Sequence, residues 1–445
     1  MKSYSKALTK VQALIIAVVV IIAIIGAVVT WQYVTPKPAK KQVKVGIIFP
    51  LTGFLAPFGK DCARGAEAAI EIFNKEGILK DVEVIPVIAD SQSDPTVAAS
   101  EAERLITVEK VDVIVGSYAS SLAMAISQVA ERYGVPMFET IAAANELTMH
   151  RGAKWTFRFG PAGLYYGYVA VDFLVNELAP KMGWNLKEMK IAIVHEDSPY
   201  GTGCADGDEE RLKELGLGEN IVARERYSAR TTDLSPLILK LKELGVDVVF
   251  YTGYAADSQL FLRQSYELGF RPKAIIGHSA GMELPVTAEA VGNLIKGVFV
   301  VGFPVYQMST EGLLPEVRAD LDKLTEYCMS KYGEKLASWG VKVFTAVYHV
   351  LLKGVFKTAL EKYGEINRET IRKAFLDIDI PDGGTLVGFG AKFAPPDHWN
   401  AGDNLKATMH PVAEWFGPKA EDLIVVWPSE LAMRPLEYYP PFSST

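Results

Sequence analysis

From Val43 onward, short β-branched runs alternate with stretches whose apolar positions recur every three or four residues. Val43–Phe49 reads as a buried strand ending at Pro50-Leu51-Thr52-Gly53. Gly59–Asn74 follows as a helix, with Ala63, Ala66, Ala69, Ile70 and Phe73 at helical spacing. The same alternation predicts strands at Val82–Ala89, Val111–Gly116 and Val135–Glu139, and helices over about Pro95–Val108 and over Ser120–Tyr133. Pro95 suits a first helical turn. The rhythm then repeats, with strands at Lys190–His195, Ile221–Tyr227, Asp247–Tyr251, Ala274–Gly277 and Gly297–Gly302. Helices are predicted between them at Gly201–Leu215, Asp233–Leu244 and Ala255–Leu268, and beyond them over 314–331, 338–362 and 368–379. The stretch 380–422 is rich in Pro, Gly and Trp and reads mostly as loop; Leu423–Trp427 is a last strand and 428–445 a tail.

This βαβα order argues for parallel sheets with helices on both faces. Two such units exceed one comfortable core, so the expected fold class is α/β, with two doubly wound parallel-sheet lobes, a hinge and a central cleft. In such sheets ligands bind beyond the carboxyl ends of strands. That rule selects the loops Pro50–Gly59, Gly116–Ser121, Thr140–Asn145, Glu196–Gly203, Thr252–Asp257 and Gly277–Met282. Small crossings near Gly160–Gly163 and Gly302–Pro304 are the expected hinge points.

The N-terminal segment follows a different pattern. Ala13–Val29 is an unbroken run of 17 Ala, Leu, Ile, Val and Gly residues. At ~1.5 Å per residue it spans about 26 Å, close to a ~30 Å hydrocarbon core. Trp31 and Tyr33 stand at the interfacial position, while three lysines on either side leave the helix unoriented. Lys6-Ala7-Leu8-Thr9, with Gln12, resembles an archaeal class III signal, which is cut before the apolar segment, here between Ala7 and Leu8. The expectation is a retained single-pass anchor over 1–34 and a stiff linker over 35–42, with the remaining chain extracytoplasmic.

Composition narrows the function. The 445 residues are 49% hydrophobic and 22% charged, which excludes a disordered or collagen-like chain. Cys62, Cys204 and Cys328 are too few and too scattered for a disulfide scaffold or a four-ligand zinc site. Residues 1–42 carry six lysines and no acid, so the net charge of −7 becomes −13 over the remainder. That acidity disfavours nucleic acid as a partner. There is no Walker loop and no C-x-x-C, and no carboxylate pair reads as an acid and base; the expectation is a protein that is not an enzyme and uses no metal or cofactor.

The segments KVGIIFPLTGFLAPFGKDCARGAEAAI (44–70), VDVIVGSYASS (111–121), KIAIVHEDSPYG (190–201) and VFYTGYAADSQLFLRQ (249–264) resemble the Leu/Ile/Val-binding protein family, the type I solute-binding proteins of ABC importers. The resemblance covers about 43–430. It implies the type I periplasmic binding protein fold, with lobes joined by three crossings: 43–160 with 304–385, and 161–303 with 386–430, leaving 431–445 as a tail. Carried over position by position, it implies ligand contacts from Ser120 with Ser121, from Phe58, from Tyr200 and Tyr254, and from the Ile141–Ala143 loop, where the family's hydroxyl is missing. A helix N-terminus with a hydroxyl suits a carboxylate, which agrees with Ser120. The acids that pair with an amino-acid ammonium fall at Ser279 and Gly163, so both charges are missing. His278, beside Ser279, either touches ligand or packs. The implied function is capture of a small amino-acid-like, carboxylate or amide ligand for an ABC permease and ATPase; the alternative is a ligand-sensing receptor domain with the same cleft.

Overall fold

The computed structural model describes residues 10–34 and 40–443. They divide into two compact units, each taken by itself. The smaller contains helix α1 (Lys10–Val34). Leu14, Ile15, Ile16, Val18, Ile21 and Ile22, which point to all sides of a 3.6-residue turn, are each about half exposed or more. The expected cut between Ala7 and Leu8, and linker residues 35–39, lie outside the described residues.

The larger unit follows the predicted alternation. Strands β1 (Lys41–Phe49), β2 (Val82–Asp90), β3 (Val113–Gly116), β4 (Met137–Glu139) and β5 (Thr156–Arg158) form one sheet, with α2 (Ala56–Glu76), α3 (Pro95–Arg104) and α4 (Ser120–Tyr133) between them. Its order is β2-β1-β3-β4-β5. The pairs β1–β3, β3–β4 and β4–β5 are parallel, with Ile47 beside Val115 and Glu139 beside Arg158. Then come α5 (Gly163–Phe173), α6 (Ala179–Met182), β6 (Ile191–Glu196), α7 (Pro199–Glu214), β7 (Ile221–Tyr227), α8 (Ser235–Leu244), β8 (Val248–Thr252), α9 (Ala255–Glu267), β9 (Ala274–His278), α10 (Pro285–Val291) and β10 (Phe299–Val301). Helices α11 (Pro315–Tyr332), α12 (Ser338–Thr345), α13 (Lys357–Tyr363) and α14 (Arg368–Asp377) precede β11 (Val412–Trp415) and β12 (Leu423–Trp427). The second sheet has seven strands in the order β12-β11-β10-β9-β8-β6-β7.

Strand order reverses between β1 and β3 in the first sheet and between β6 and β8 in the second. These switch points open crevices at the strands' carboxyl ends. The loops leading to Ser120, Tyr200 and Tyr254 leave from these strand ends, which is why residues remote in sequence meet.

Four expectations change. β11 lies in the stretch predicted as loop and runs antiparallel to β10 and β12, so the second sheet is parallel only from β7 to β10. β5 and α5 were not predicted; β5 is three residues long, too short to show a period. Residues 389–404, assigned with the second sheet, pack on the first: Phe393 lies 5.7 Å from Phe157 and 5.2 Å from Phe375, and Asp403 bridges to Arg158 beside β5. The expected tail is docked on the second sheet's side, where Tyr438 Oη donates to the Lys273 carbonyl (2.8 Å) and Lys181 Nζ to the Leu436 carbonyl (2.5 Å). Among the described residues Ser338–Tyr363, one continuous helix from α12 to α13, is long and apolar enough to cross a membrane, but its apolar window is mostly buried inside the fold and serves as core.

Candidate ligand-binding site

The first-sheet wall is built from buried capping groups. Glu139, at the end of β4, accepts the N–H groups of Ile141 (3.0 Å) and Ala142 (2.9 Å), and its other oxygen accepts from Ser117 Oγ (3.0 Å). Burial pushes its carboxyl above the usual range. Ser120 Oγ, at the start of α4, accepts from Ala143 N (3.2 Å) and Ala144 N (3.0 Å). Arg158 holds the next stretch through the Ala144 carbonyl (2.5 Å) and Thr148 Oγ1 (2.8 Å), with Asp403 on its Nε (2.7 Å). Trp339 is set by a similar device. Asp61 on α2 accepts the N–H groups of Ala337 (3.2 Å) and Gly340 (2.6 Å) and so fixes the N-terminus of α12. A Cβ on Gly65 would lie 2.1 Å from the Gly340 carbonyl oxygen, so this approach of α2 to α12 requires glycine.

The second-sheet wall is equally fixed. Glu196 accepts from Ser198 Oγ (2.6 Å) and Gly201 N (2.7 Å), pinning the turn into α7 and placing Tyr200. Tyr200 Oη donates to the His278 carbonyl (2.7 Å). The Asp257 carboxylate accepts the N–H of Tyr254 (2.9 Å) and the hydroxyl of Tyr227 (2.7 Å). Ser279 holds a positive φ of 31°; its N–H donates to the Val301 carbonyl (2.8 Å) and its Oγ to Glu283 Oε2 (2.8 Å).

Between these walls is a small pocket with a cavity volume of about 20 Å³. Ser120, Ile141, Ala143, Tyr118 and Trp339 line it from one side, and Tyr166, Tyr200, Tyr254, Ser279 and Ala280 from the other. None of these side chains is formally charged. Burial pushes the phenols of Tyr118, Tyr200 and Tyr254 well above their ordinary range, so all three stay protonated. Tyr118 meets Trp339 edge-on at 5.6 Å and reaches across to Tyr254 at 6.4 Å. Tyr118 Oη and Trp339 Nε1 are buried with no hydrogen-bond partner among the described residues.

Of the nine residues named from sequence, Ser120, Ile141, Ala143, Tyr200, Tyr254 and Ser279 line this pocket. Three do not. Ser121, one step further along α4, is not among the lining residues. Phe58 stands behind Tyr118, with ring centroids 5.7 Å apart. His278 is packed and saturated: its ring nitrogens lie 2.8 Å from Thr252 Oγ1 and 3.1 Å from Asp208 Oδ1. Of the lining pair in the 141–143 loop, the Ile141 and Ala143 N–H groups are already taken by Glu139 and Ser120, so these residues offer shape rather than backbone donors. Tyr118, Ala280 and Trp339 were not named from sequence, and Tyr166 reads there as either a cleft aromatic or a packed helix residue. Tyr118 lay within the selected Gly116–Ser121 loop; Trp339 sits at the start of the helix predicted over 338–362, and nothing local marks it. Gly163 cannot carry an acid here, because its Cβ would lie 2.8 Å from Cys204 N.

Gly277-His278-Ser279-Ala280-Gly281 also has the G-x-S-x-G spacing of a hydrolase nucleophile elbow. Its environment does not make it one. Ser279 Oγ is bonded to Glu283 rather than to an imidazole, and the adjacent His278 is committed to Thr252 and Asp208.

Residues 42–403 match the family described as periplasmic binding protein. The chain is 37% identical over 397 residues to Leu/Ile/Val-binding protein homolog 7 of Brucella abortus, covering 89% of this chain and 94% of that one. Its fold is similar to a branched-chain amino acid transporter substrate binding protein from Streptococcus pneumoniae in complex with isoleucine (TM-score 0.69, 20% identity, 87% of this chain, 100% of that chain). It is also similar to a solute binding protein of an ABC transporter from Rhodopseudomonas palustris in complex with 3,4-dihydroxy benzoic acid (TM-score 0.60, 18% identity, 84% of this chain, 93% of that chain).

Proposed function

The chain belongs to the periplasmic binding protein family and is a solute-binding protein, and from that premise we propose that it captures a small carboxylate- or amide-bearing ligand with an apolar or aromatic body and delivers it to an ABC importer permease and ATPase. The observation that carries the ligand class is the pair of buried groups without a partner among the described residues, Tyr118 Oη and Trp339 Nε1, on residues that line a pocket without a formal charge. Leaving a buried donor unpaired costs about 1–3 kcal/mol, and a ligand oxygen between these groups and Ser120 removes that cost. The aromatic rings then cover the ligand's body. Thermal-shift screening tests this: carboxylates, amides and aromatic acids are expected to raise the melting temperature more than leucine, isoleucine or valine. A branched-chain amino acid giving the largest shift overturns the ligand class.

That second reading, an amino acid, is favoured by the relatives' names and by Glu283, whose carboxylate lies one hydroxyl behind the pocket at Ser279. A sensory receptor has no observation of its own in its favour.

The same proposal includes the anchor. A 25-residue helix with exposed aliphatic side chains on all sides suits a hydrocarbon core, with the binding domain outside the cytoplasm. Carbonate extraction of membranes is expected to leave the full-length chain in the pellet; recovery of a soluble form that begins beyond residue 30 would show a cleaved signal instead.

A further inference from the structure

The lining residues Ser120, Tyr200 and Ser279 have hydrogen-bonding directions fixed by their partners, and these divide by side, while the Tyr166 and Tyr254 hydroxyls stay free to turn. Toward the first sheet, Ser120 Oγ accepts two backbone N–H groups (3.2 and 3.0 Å), which fills its lone pairs and leaves its proton to donate. Tyr118 Oη and Trp339 Nε1 are unpartnered on that side, and an indole N–H can only donate. Toward the second sheet the polarity reverses. Tyr200 Oη commits its proton to the His278 carbonyl (2.7 Å) and Ser279 Oγ commits its own to Glu283 (2.8 Å), so both turn lone pairs to the pocket.

The carboxylate behind Ser279 is not a free anion. Lys342 Nζ lies 2.7 Å from Glu283 Oε1, with the two side chains 5% and 1% exposed. The ammonium also sits 3.9 Å from the Trp339 ring centroid and 5.7 Å from that of Phe303. The Phe303 N–H donates to the same carboxylate oxygen (3.1 Å). A ligand ammonium at Ser279 would therefore meet Glu283 and Lys342 together. It would lose its hydration with no uncompensated charge to receive it. A carboxylate placed across the pocket would instead set an oxygen against the lone pairs of Ser279 and Tyr200.

Resting on the solute-binding reading, we propose that Lys342 sets the charge class of the ligand: by cancelling Glu283 it makes the Ser279 end a neutral acceptor, and the pocket takes a neutral carboxamide, its C=O toward Ser120, Tyr118 and Trp339 and its N–H toward Ser279 and Tyr200. One planar group then satisfies both walls at once and ties the two sheets together.

Isothermal titration of the full chain in detergent with three ligands of one carbon frame, isocaproamide, isocaproate and leucine, tests this. The amide is expected to bind at least roughly tenfold more tightly than leucine. Lys342→Met is expected to reverse that order by presenting the Glu283 charge to the ligand's ammonium, and Glu283→Gln added to it is expected to restore the order. Ser279→Ala, which leaves Lys342 in place, is expected to weaken isocaproamide roughly tenfold and to leave isocaproate as tight or tighter, since a lone pair facing its oxygen is removed. Leucine binding more tightly than the amide in the natural chain overturns the proposal, as does an unaltered order in a folded Lys342→Met. Should that variant not fold, Ser279→Ala decides alone, and equal weakening of amide and acid overturns the proposal. If none of the three binds, the solute-pocket reading falls as well, a result distinct from leucine binding best.

Discussion

At the residue scale, the pocket separates groups that build it from groups that face into it. Ser120 does both, since its oxygen holds the Ala143 and Ala144 N–H groups while its proton remains for a ligand. Ser120→Ala is expected to weaken the best ligand by about 1–3 kcal/mol and also to lower the melting temperature of the empty protein, because two buried donors lose their acceptor. Trp339→Phe is the cleaner probe. It keeps a ring against Lys342 and Tyr118 but removes Nε1–H, so affinity is expected to fall by about 0.5–1.5 kcal/mol, while in the empty protein the lost ring volume and the relief of an unpaired donor oppose each other and move the melting temperature less than Ser120→Ala does. Glu414 carries a pH prediction. Burial on β11 pushes its carboxyl up to about 8, and one of its oxygens has no partner among the described residues. The folded state therefore holds a proton that the unfolded chain releases near pH 4.5. Stability is expected to fall as pH rises through that window toward 8. Glu414→Gln should flatten the decline in a denaturation series, though only in part, because Asp257 is likewise raised, to about 7, by burial. An unchanged slope in the variant would place the pH dependence elsewhere.

At the element scale, the packing of α5 on α7 decides where Tyr200 stands. A Cβ on Gly167 would lie 2.3 Å from Asp208 N and 2.5 Å from the Cys204 carbonyl oxygen, and one on Gly207 would lie 2.3 Å from the Leu164 carbonyl oxygen. These are backbone atoms that cannot step aside, so the helices touch through glycines at close range. Gly167→Ala is expected to cost about 1–3 kcal/mol in a denaturant titration and to weaken ligand binding through displacement of α7. A variant as stable as the natural chain would show that the helices can part without loss. The switch points act at the same scale. β1 with β3, and β6 with β8, send their following loops to one crevice, and β11 closes the second sheet by pairing antiparallel.

At the scale of the whole binding unit, aromatic groups from both sheets meet over the pocket. Tyr118 faces Tyr254, and Phe54 lies 6.4 Å from Tyr254 with the Arg230 guanidinium 5.2 Å from its ring. Short crossings at Gly160–Gly163 and Gly302–Pro304 carry the chain between the sheets. On the hinge expectation, a ligand that bonds both walls stabilises the arrangement in which they face each other, and without it the walls are expected to part about those crossings. X-ray scattering with a saturating ligand is expected to give a smaller radius of gyration than scattering without one. Identical profiles would mean that the permease distinguishes loaded from empty protein by some cue other than closure.

The α/β class, the succession of strands and helices, and six of the pocket's lining residues were legible in the linear order of residues. Local periodicity and the rule that ligands sit beyond strand ends depend only on neighbours in sequence and select the loops; the six residues within them were implied by the resemblance to the Leu/Ile/Val-binding protein family. What had no local signature was set by long-range contact. Trp339 reaches the pocket because Asp61 caps α12 and glycines let α2 approach it. β11 exists because β10 and β12 pair with its edges. His278 is withheld because Asp208 and Thr252 use both its nitrogens. The same holds for charge: Ser279 showed the absence of an acid, but only the fold brings Glu283 behind that serine and Lys342, 59 residues further along the chain, onto Glu283. The electrostatics of a buried site are a property of which groups share the same small volume, and that is decided by tertiary packing.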